Sequence, residues 1–467
     1  MARFTYSSLL PHSPEEVFAW HDREGAFLRL TPPWEAVRVG EKTGAGVAAG
    51  TRVSFSVKTG PMWMPWTARH VEYDPPRMFA DEQEQGPFAR WRHVHRFLAG
   101  ENGTRMQDEI EYGLPLPPLG SLFGKGMARR RLLRMFPFRH RIVARDLFRH
   151  LSPPASPPLT VAITGASGLL GRSLIPFLTT GGHRVVSLVR RAPQPGGGEI
   201  FWDPARGELD PASLAGVDAV VHLAGENIGE GRWTREKKLR MVGSRTLGTE
   251  TLARAVAAAM AKNGPRVLVS ASAVGYYGHR ADDLLDEGSP QGRGFIPELC
   301  AAWEQAARPA ADAGVRVVNL RIGVVLSPAG GALAKMLPGF SAGLGAAMGP
   351  GSQYIPWVSP DDVLGAILHA MKTPALSGPV NLTAPAPVTS RELAQELGRV
   401  LSRPALFTLP ATVLKAAFGR MAEEILLASA RAVPQKLLDS GFVFLDPALG
   451  PALAHVLGRD PGPGVPS

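Results

Sequence analysis

Cysteine is almost absent: Cys300 stands alone among 467 residues, which excludes an intrachain disulfide and any metal site built from cysteines only. Long apolar runs are missing too, none approaching the ~18–20 residues that cross a bilayer, so no transmembrane segment is expected. The opening Met1-Ala-Arg-Phe-Thr-Tyr lacks the charged-then-apolar layout of a secretory leader, and the expected location is the cytoplasm. Acid is in short supply, with 41 Asp and Glu against 51 Lys and Arg and a net charge of +10. Much of the excess base sits in Arg129, Arg130, Arg131, Arg134, Arg139, Arg141, Arg145 and Arg149. Such a run suits a phosphate backbone or an acidic surface, or is simply a solvated helix face. Zinc-finger, helix-turn-helix and RNA-platform signatures are lacking, so no nucleic-acid partner is expected. The 45% hydrophobic and 20% charged content is that of a soluble globular protein, and the length implies two or three domains.

Residues 1–150 read as strand-rich with a helix near each end. Ser13-Pro-Glu-Glu starts a helix, with a capping serine, proline in the first turn and acids facing the dipole. Strands are expected over Trp34–Val39, Thr51–Lys58, Trp66–Tyr73, Trp91–Leu98 and Thr104–Tyr112, with Asn102-Gly103 as a hairpin turn. From Gly126 to Leu151 apolar residues recur at helical spacing, with a break expected at Pro137. This element order resembles the START-like helix-grip (SRPBCC) fold, an α+β ligand-binding domain. The resemblance implies an apolar cavity for a small hydrophobic molecule, lined by Trp63, Trp66, Phe88, Trp91 and Phe97 unless these are core aromatics. His93 and His95, two apart on a strand, face the same way. No third ligand is identifiable beside them, so no metal is expected.

A proline-rich spacer, 151–158, separates this region from Leu159-Thr-Val-Ala-Ile-Thr-Gly-Ala-Ser-Gly-Leu-Leu-Gly171. Here a β-branched strand meets three glycines and then an amphipathic helical pattern, the context a dinucleotide-binding turn requires. Glycines allow close approach of a pyrophosphate, and the new helix offers unpaired N–H groups and its positive end. Further short apolar strands at Arg184–Val189, Asp218–Leu223, Arg266–Ser270 and Val315–Leu320 alternate with helices, which predicts a doubly wound parallel sheet. At the end of the second strand, where an acid would bind a ribose 2′-hydroxyl, stand Arg190 and Arg191. Two guanidinium groups suit a 2′-phosphate, so the expected cofactor is NADP(H).

Thr164-Gly-Ala-Ser-Gly-Leu-Leu-Gly171 resembles the TGxxGxxG fingerprint of extended short-chain dehydrogenases/reductases. More closely, Trp202-Asp-Pro, Leu223-Ala-Gly-Glu-Asn227, Gly231-Arg-Trp-Thr-Arg-Glu-Lys-Lys238, Ser244-Arg245, Gly248-Thr249 and Gly349–Trp357 resemble the "epimerase family protein" oxidoreductases. The resemblance runs from about 159 to 450. It implies an NAD(P)-binding Rossmann domain with a substrate lobe over 159–400 and a small DUF1731-like domain over 401–457, while glycine and proline without apolar anchors predict a frayed tail over 458–467. It also implies cofactor contacts from Gly165, Ser167, Gly168, Leu169, Leu170, Gly171, Arg190, Arg191, Leu223, Ala224, Gly225, Ser270, Arg321 and Gly323. Gln353, Trp357, Asp361 and Asp362 match a stretch expected to pack the lobe onto the sheet.

The superfamily's Ser, Tyr and Lys are incomplete. Ser272 matches the serine, but the helix that should carry YxxxK reads Phe295-Ile-Pro-Glu-Leu-Cys-Ala-Ala-Trp-Glu304, with Ile296 and Cys300 at the tyrosine and lysine positions. Tyr276 or Tyr277 is the substitute acid, or both are loop aromatics over the cofactor. Cys300 is a nucleophile only if its thiolate is stabilised, and otherwise a small buried residue. Glu226, Lys237, Lys238 and Arg245 bind an anionic substrate group or form a solvated helix start. The expected function is an NADP(H)-dependent epimerase-like oxidoreductase acting on a hydrophobic carbonyl compound bound or presented by the front domain. A catalytically inactive NADP(H)-binding sensor is the alternative.

Overall fold

The computed structural model describes residues 1–115, 119–152, 157–194, 196–460 and 465–466, and of 119–123 and 465–466 the backbone alone. Spacer residues 153–156 and tail residues 461–464 and 467 therefore lie outside the described residues. The chain divides into two compact units, Met1–Ala155 with Pro176–Gly182 and Ala454–Ser467, and Ser156–Ile175 with His183–Leu453.

In the first unit, β1 (Ala2–Leu10) is followed by α1 (Pro14–Asp22), the short α2 (Ala26–Arg29), and six strands. These are β2 (Val37–Thr43), β3 (Arg52–Thr59), β4 (Met62–Asp74), β5 (Met78–Gln85), β6 (Arg90–Gly100) and β7 (Gly103–Gly113). The antiparallel order is β2-β3-β4-β5-β6-β7-β1, with Val465–Pro466 beyond β1. α1 opens with a capping box: Glu16 N–H donates to Ser13 Oγ at 3.2 Å and Ser13 N–H to Glu16 Oε2 at 2.9 Å. The 33-residue α3 (Leu119–Leu151) runs straight through Pro137, correcting the expected break. One lost backbone bond is outweighed by the buried stripe of Leu132, Phe136, Ile142, Val143 and Leu147, which packs into two apolar clusters of this unit. β1 and β5 were not expected; β5 reads Met-Phe-Ala-Asp-Glu-Gln-Glu-Gln, and its acids and amides run against strand propensity.

The second unit is a seven-stranded parallel sheet. Its first strands are β8 (Thr160–Thr164), β9 (Arg184–Val189), β10 (Glu199–Phe201), β11 (Ala219–His222) and β12 (Val267–Ala273). The order is β10-β9-β8-β11-β12, then Arg316–Ile322 and Gly378–Leu382. The direction of winding reverses between β8 and β11, so the crevice at their carboxyl ends is the switch point where such sheets bind ligands. Among the connecting helices, α4 (Leu169–Thr180) follows β8, α5 (Arg235–Met260) follows β11 and α6 (Phe295–Gln305) follows β12. Ala162, Val220, Leu252, Val256 and Leu268 are fully buried in the core beneath. Of the lobe-packing residues, Gln353 Nε2 donates to Met348 O (2.8 Å), Trp357 Nε1 to Ala386 O (3.2 Å), and Asp362 accepts from Leu445 N–H (2.8 Å) and Asp446 N–H (3.0 Å). No described helix is long and apolar enough to cross a membrane.

Candidate functional site

The turn between β8 and α4 is built by its glycines. Gly165 has φ +73°, and a Cβ there would lie 2.8 Å from Leu223 C, where β11 ends. A Cβ on Gly171 would lie 2.3 Å from Gly165 O, so only glycine lets the helix start this close to the turn. Gly168 N–H donates to Gly165 O at 2.9 Å, and α4 begins at Leu169, leaving its first N–H groups without intrahelical partners. Ser167 and Gly168 are exposed, and Leu169 and Leu170 half-buried. A pyrophosphate fits this turn: it would meet backbone N–H groups, the positive end of α4 and no side chain in the way at Gly168.

At the tip of β9, Arg191 is committed: its Nη1 donates to Glu199 Oε2 at 2.9 Å and its Nη2 to Glu199 Oε1 at 2.5 Å. The same hydrogen bonds hold the Glu199 carboxyl below its usual range. Arg190 is exposed and has no ion pair among the described residues, so of this pair it is the one that offers a free guanidinium. The expectation of two free arginines with no acid beside them is thereby corrected.

Across the switch point, Thr164 pairs in register with His222, and His222 with Ser270. Thr164 Oγ1 accepts from Leu223 N–H (3.1 Å) and Ala224 N–H (3.2 Å), so its own proton goes to His222 Nδ1 at 2.7 Å. This fixes Leu223-Ala-Gly225 beside the glycine turn. His222 is fully buried, and burial, with the Arg245 charge, pushes its pKa down to about 4. Ser270 lies in the same row with no exposed surface, which removes it from the cofactor contacts. Gly323 follows the Arg316–Ile322 strand, its N–H donating to Leu382 O at 3.0 Å.

At the carboxyl ends of the later strands, Ser272 pairs in register with Arg321, and Arg321 with Asn381. Ser272 Oγ donates to Glu304 Oε1 at 2.7 Å, and Arg321 grips the same carboxylate through Nε (2.8 Å) and Nη2 (2.9 Å). Arg321 Nη1 donates to the Tyr277 hydroxyl at 2.9 Å, which faces Asn381 Oδ1 at 2.7 Å and Asp286 O at 2.9 Å. Burial alone would lower the Arg321 pKa, but Glu304 more than offsets it and raises it. Arg321 is thus a structural ion-pair residue, corrected from a cofactor contact. Tyr277 is wholly buried, its phenol is pushed up by that burial, and its hydroxyl is taken up by Arg321, Asn381 and Asp286. Tyr276 is the half-exposed member of the pair, with the Arg321 guanidinium stacked 3.5 Å from its ring centre.

Ile296 and Cys300 lie in an apolar cluster with Met241 and Leu299. Burial, reinforced by the Glu304 charge, pushes the Cys300 thiol up to about 12, the opposite of an activated nucleophile. Glu226, Lys237 and Arg245 bind one another: Lys237 Nζ donates to Glu226 Oε1 at 2.7 Å, and Arg245 Nη1 and Nη2 both donate to Glu226 O at 3.1 Å. Lys238 Nζ lies 4.9 Å from the centre of the Phe295 ring. The group is therefore a loop clamp, correcting both the substrate-binding and the solvated-face readings. Glu304 and Asn381 were missed as site residues. Glu304 lies four residues after Cys300, one helical turn on, and nothing in sequence marks Asn381.

In the first unit, Trp66, Phe88 and Trp91 pack on one another, with Trp66 to Trp91 centroids 5.1 Å apart. Trp63 is capped by Arg38 at 3.9 Å, and Phe97 belongs to a separate cluster around Trp20 and Phe79. The five aromatics therefore do not line one wall.

Comparison with known proteins matches residues 161–382 to the NAD dependent epimerase/dehydratase family, 10–136 to polyketide cyclase / dehydrase and lipid transport, and 409–456 to a domain of unknown function, DUF1731. The "nucleoside-diphosphate sugar epimerase" of Corynebacterium glutamicum has a solved structure that is similar at TM-score 0.80 and 34% identity, over 98% of this chain and 90% of that one. Human "epimerase family protein SDR39U1", solved with NADPH, is similar at TM-score 0.59 and 35% identity over 64% of this chain and 99% of that one. The "Epimerase family protein Mb2239" of Mycobacterium bovis is 48% identical over 299 residues, 64% of this chain and 98% of its own length. A match of that identity along nearly the whole of a relative, on a sheet whose switch point carries the glycine turn, means that the chain belongs to the epimerase family proteins.

Proposed function

We propose that this protein is an NADP(H)-binding, epimerase-like oxidoreductase whose substrate is a hydrophobic carbonyl compound, and whose first unit holds a small hydrophobic molecule. The observation that carries the cofactor reading is the glycine turn opening onto α4 with the uncommitted Arg190 at the tip of β9. The NADPH in the solved human relative supports it. Residues 165–171 would hold the pyrophosphate, Leu223-Ala-Gly225 would flank the adenosine, and Arg190 would meet the 2′-phosphate. Bound NADPH would supply a hydride to the carbonyl carbon. Tyr276, the accessible phenol, would hand its proton to the carbonyl oxygen. Ser272 gives its proton to Glu304 and is 3% exposed, so it would act by holding Glu304 and not as a donor to the carbonyl oxygen.

The wild-type chain should bind NADPH more tightly than NADH in titration calorimetry, and Arg190→Asp should abolish the preference. Equal wild-type affinities would sink the NADP(H) assignment. A charge-assisted bond to the phosphate contributes ~1.5–3 kcal/mol, or about 10–100-fold in affinity. A second reading, a cofactor-bound sensor without turnover, is favoured by the apolar Ile296 and Cys300 at the YxxxK positions. Tight NADPH binding with no NADPH oxidation across a broad set of hydrophobic ketones and aldehydes would select it.

A further inference from the structure

The sheet of the first unit buries a second polar cluster that the nucleotide-site reading does not use. Asp81 on β5 stands in register with His93 on β6, and His95 on β6 with Asp108 on β7. His93 and His95 are 5% and 9% exposed and Asp108 4%. Asp108 Oδ1 lies 2.7 Å from His93 Nε2 and 2.7 Å from His95 Nδ1, while its Oδ2 lies 2.6 Å from His140 Nε2. His140 is held in turn by Ser8 Oγ, 2.7 Å from its Nδ1. The opposite nitrogens of the two β6 rings face Asp81: His93 Nδ1 is 3.6 Å and His95 Nε2 3.8 Å from Asp81 Oδ2.

An ionised carboxylate only accepts hydrogen bonds. A neutral His93 presents its Nε2–H to Asp108 and carries its lone pair on Nδ1, while His95, whose Nδ1 stands 2.7 Å from the same carboxylate oxygen, turns its Nε2 to the other side. Those two nitrogens converge on Asp81, also an acceptor, and one ligand atom from each of the three residues lies within 4.8 Å of the others. Acceptor atoms gathered in this way in a buried space are relieved by a proton or a cation among them, and the convergence of all three on one point suits a cation. Histidines that meet a carboxylate through the far nitrogen are also how proteins orient imidazole ligands.

We propose that Asp81 Oδ2, His93 Nδ1 and His95 Nε2 form a divalent transition-metal site, with Asp108 as the residue that positions both histidines. Metal–ligand bonds of ~2.0–2.2 Å place neighbouring ligands about 3.0–3.5 Å apart, so the observed 3.6 and 3.8 Å to Asp81, within a three-way span of 4.8 Å, must close by side-chain rotation. Two imidazoles and one carboxylate favour Zn²⁺, Fe²⁺ or Co²⁺ over Ca²⁺ and Mg²⁺, which take oxygen ligands. His70 stands opposite Asp81 across the β4–β5 pairing, with its Nδ1 buried and without a hydrogen-bond partner among the described residues, and offers a fourth donor.

The test uses the full chain, stripped with chelator and titrated with Co²⁺ or Zn²⁺. One equivalent per chain is expected, with visible Co²⁺ absorption and a raised unfolding temperature. Asp81→Asn and His95→Gln, checked for folding by circular dichroism, should lose the equivalent. Asp108→Asn should weaken it ~10–100-fold. X-ray absorption on the Zn²⁺-loaded wild-type chain needs no variant and should show two or three imidazoles in the first shell. No uptake by the stripped chain, uptake unchanged in the folded variants, or an all-oxygen shell would each overturn the proposal.

Discussion

Each unit buries a polar network, and the two differ in whether donors and acceptors balance. In the second unit, Ser272, Glu304, Arg321, Tyr277 and Asn381 form a closed chain in which the carboxylate meets a bidentate guanidinium and the phenol is held by its neighbours. In the first, Asp108 is held by His93 and His140, while Asp81, His93 and His95 bring further polar atoms together on the other side. A closed network fixes a structure and leaves little for a substrate; one that gathers unpaired acceptors is where a cation would be stabilised. The difference also explains why the residue types usual for catalysis need not be the catalytic ones here. Arg321 and Tyr277 are spent on each other, and Tyr276 is left outside.

The contrast is broken most strongly by removing a charge from the closed network. Glu304→Gln or Arg321→Met leaves an uncompensated buried charge or donor set and should cost ~3–5 kcal/mol in urea unfolding. Replacing both by apolar residues should cost much less than the sum, since the pair vanishes together. Additive losses would show that the two side chains do not act as a unit.

Next in size is the effect of acid on His222. Its folded pKa of about 4 lies below the usual 6.5, so as pH falls the unfolded chain takes up the proton first. Stability from this group is complete above about 6.5 and is lost progressively down to about 4, ~3 kcal/mol in all. The His222→Gln chain should lose less stability than wild type over that window, and parallel curves would remove His222 from the account. The comparison with wild type matters because the first-unit histidines also titrate: burial pushes His21 down to about 3.

How much of this was legible beforehand follows from the same contrast. The glycine turn and the parallel sheet could be read because local backbone demands, a positive φ at Gly165 and a run of β-branched residues in β8, leave a mark on consecutive residues. Partners brought together by register do not. Asp81 escaped notice because β5 looks too acidic to be a strand, and without β5 the pair His93 and His95 had no third ligand. Arg321 was mistaken for a cofactor contact because its tie to Glu304 joins a strand to a helix. The expected break at Pro137 failed for a different reason, since packing of the apolar stripe overrides a single missing N–H.

The smallest effect separates the neighbouring tyrosines. Tyr277→Phe removes a hydroxyl that Arg321 and Asn381 both contact, and should destabilise the chain by ~1–3 kcal/mol by leaving those groups unpaired. NADPH affinity and any NADPH oxidation should stay near wild type in the folded protein, because the buried phenol reaches no substrate. Tyr276→Phe should do the reverse. Its hydroxyl has no hydrogen bond among the described residues and the ring remains to stack under Arg321, so stability should change by less than ~0.5 kcal/mol. Turnover should fall about 10²-fold or more, the usual contribution of a positioned general acid. If Tyr277→Phe abolishes turnover in a folded chain while Tyr276→Phe leaves it intact, the closed network is itself the proton path, and the contrast between the two buried networks loses its functional meaning.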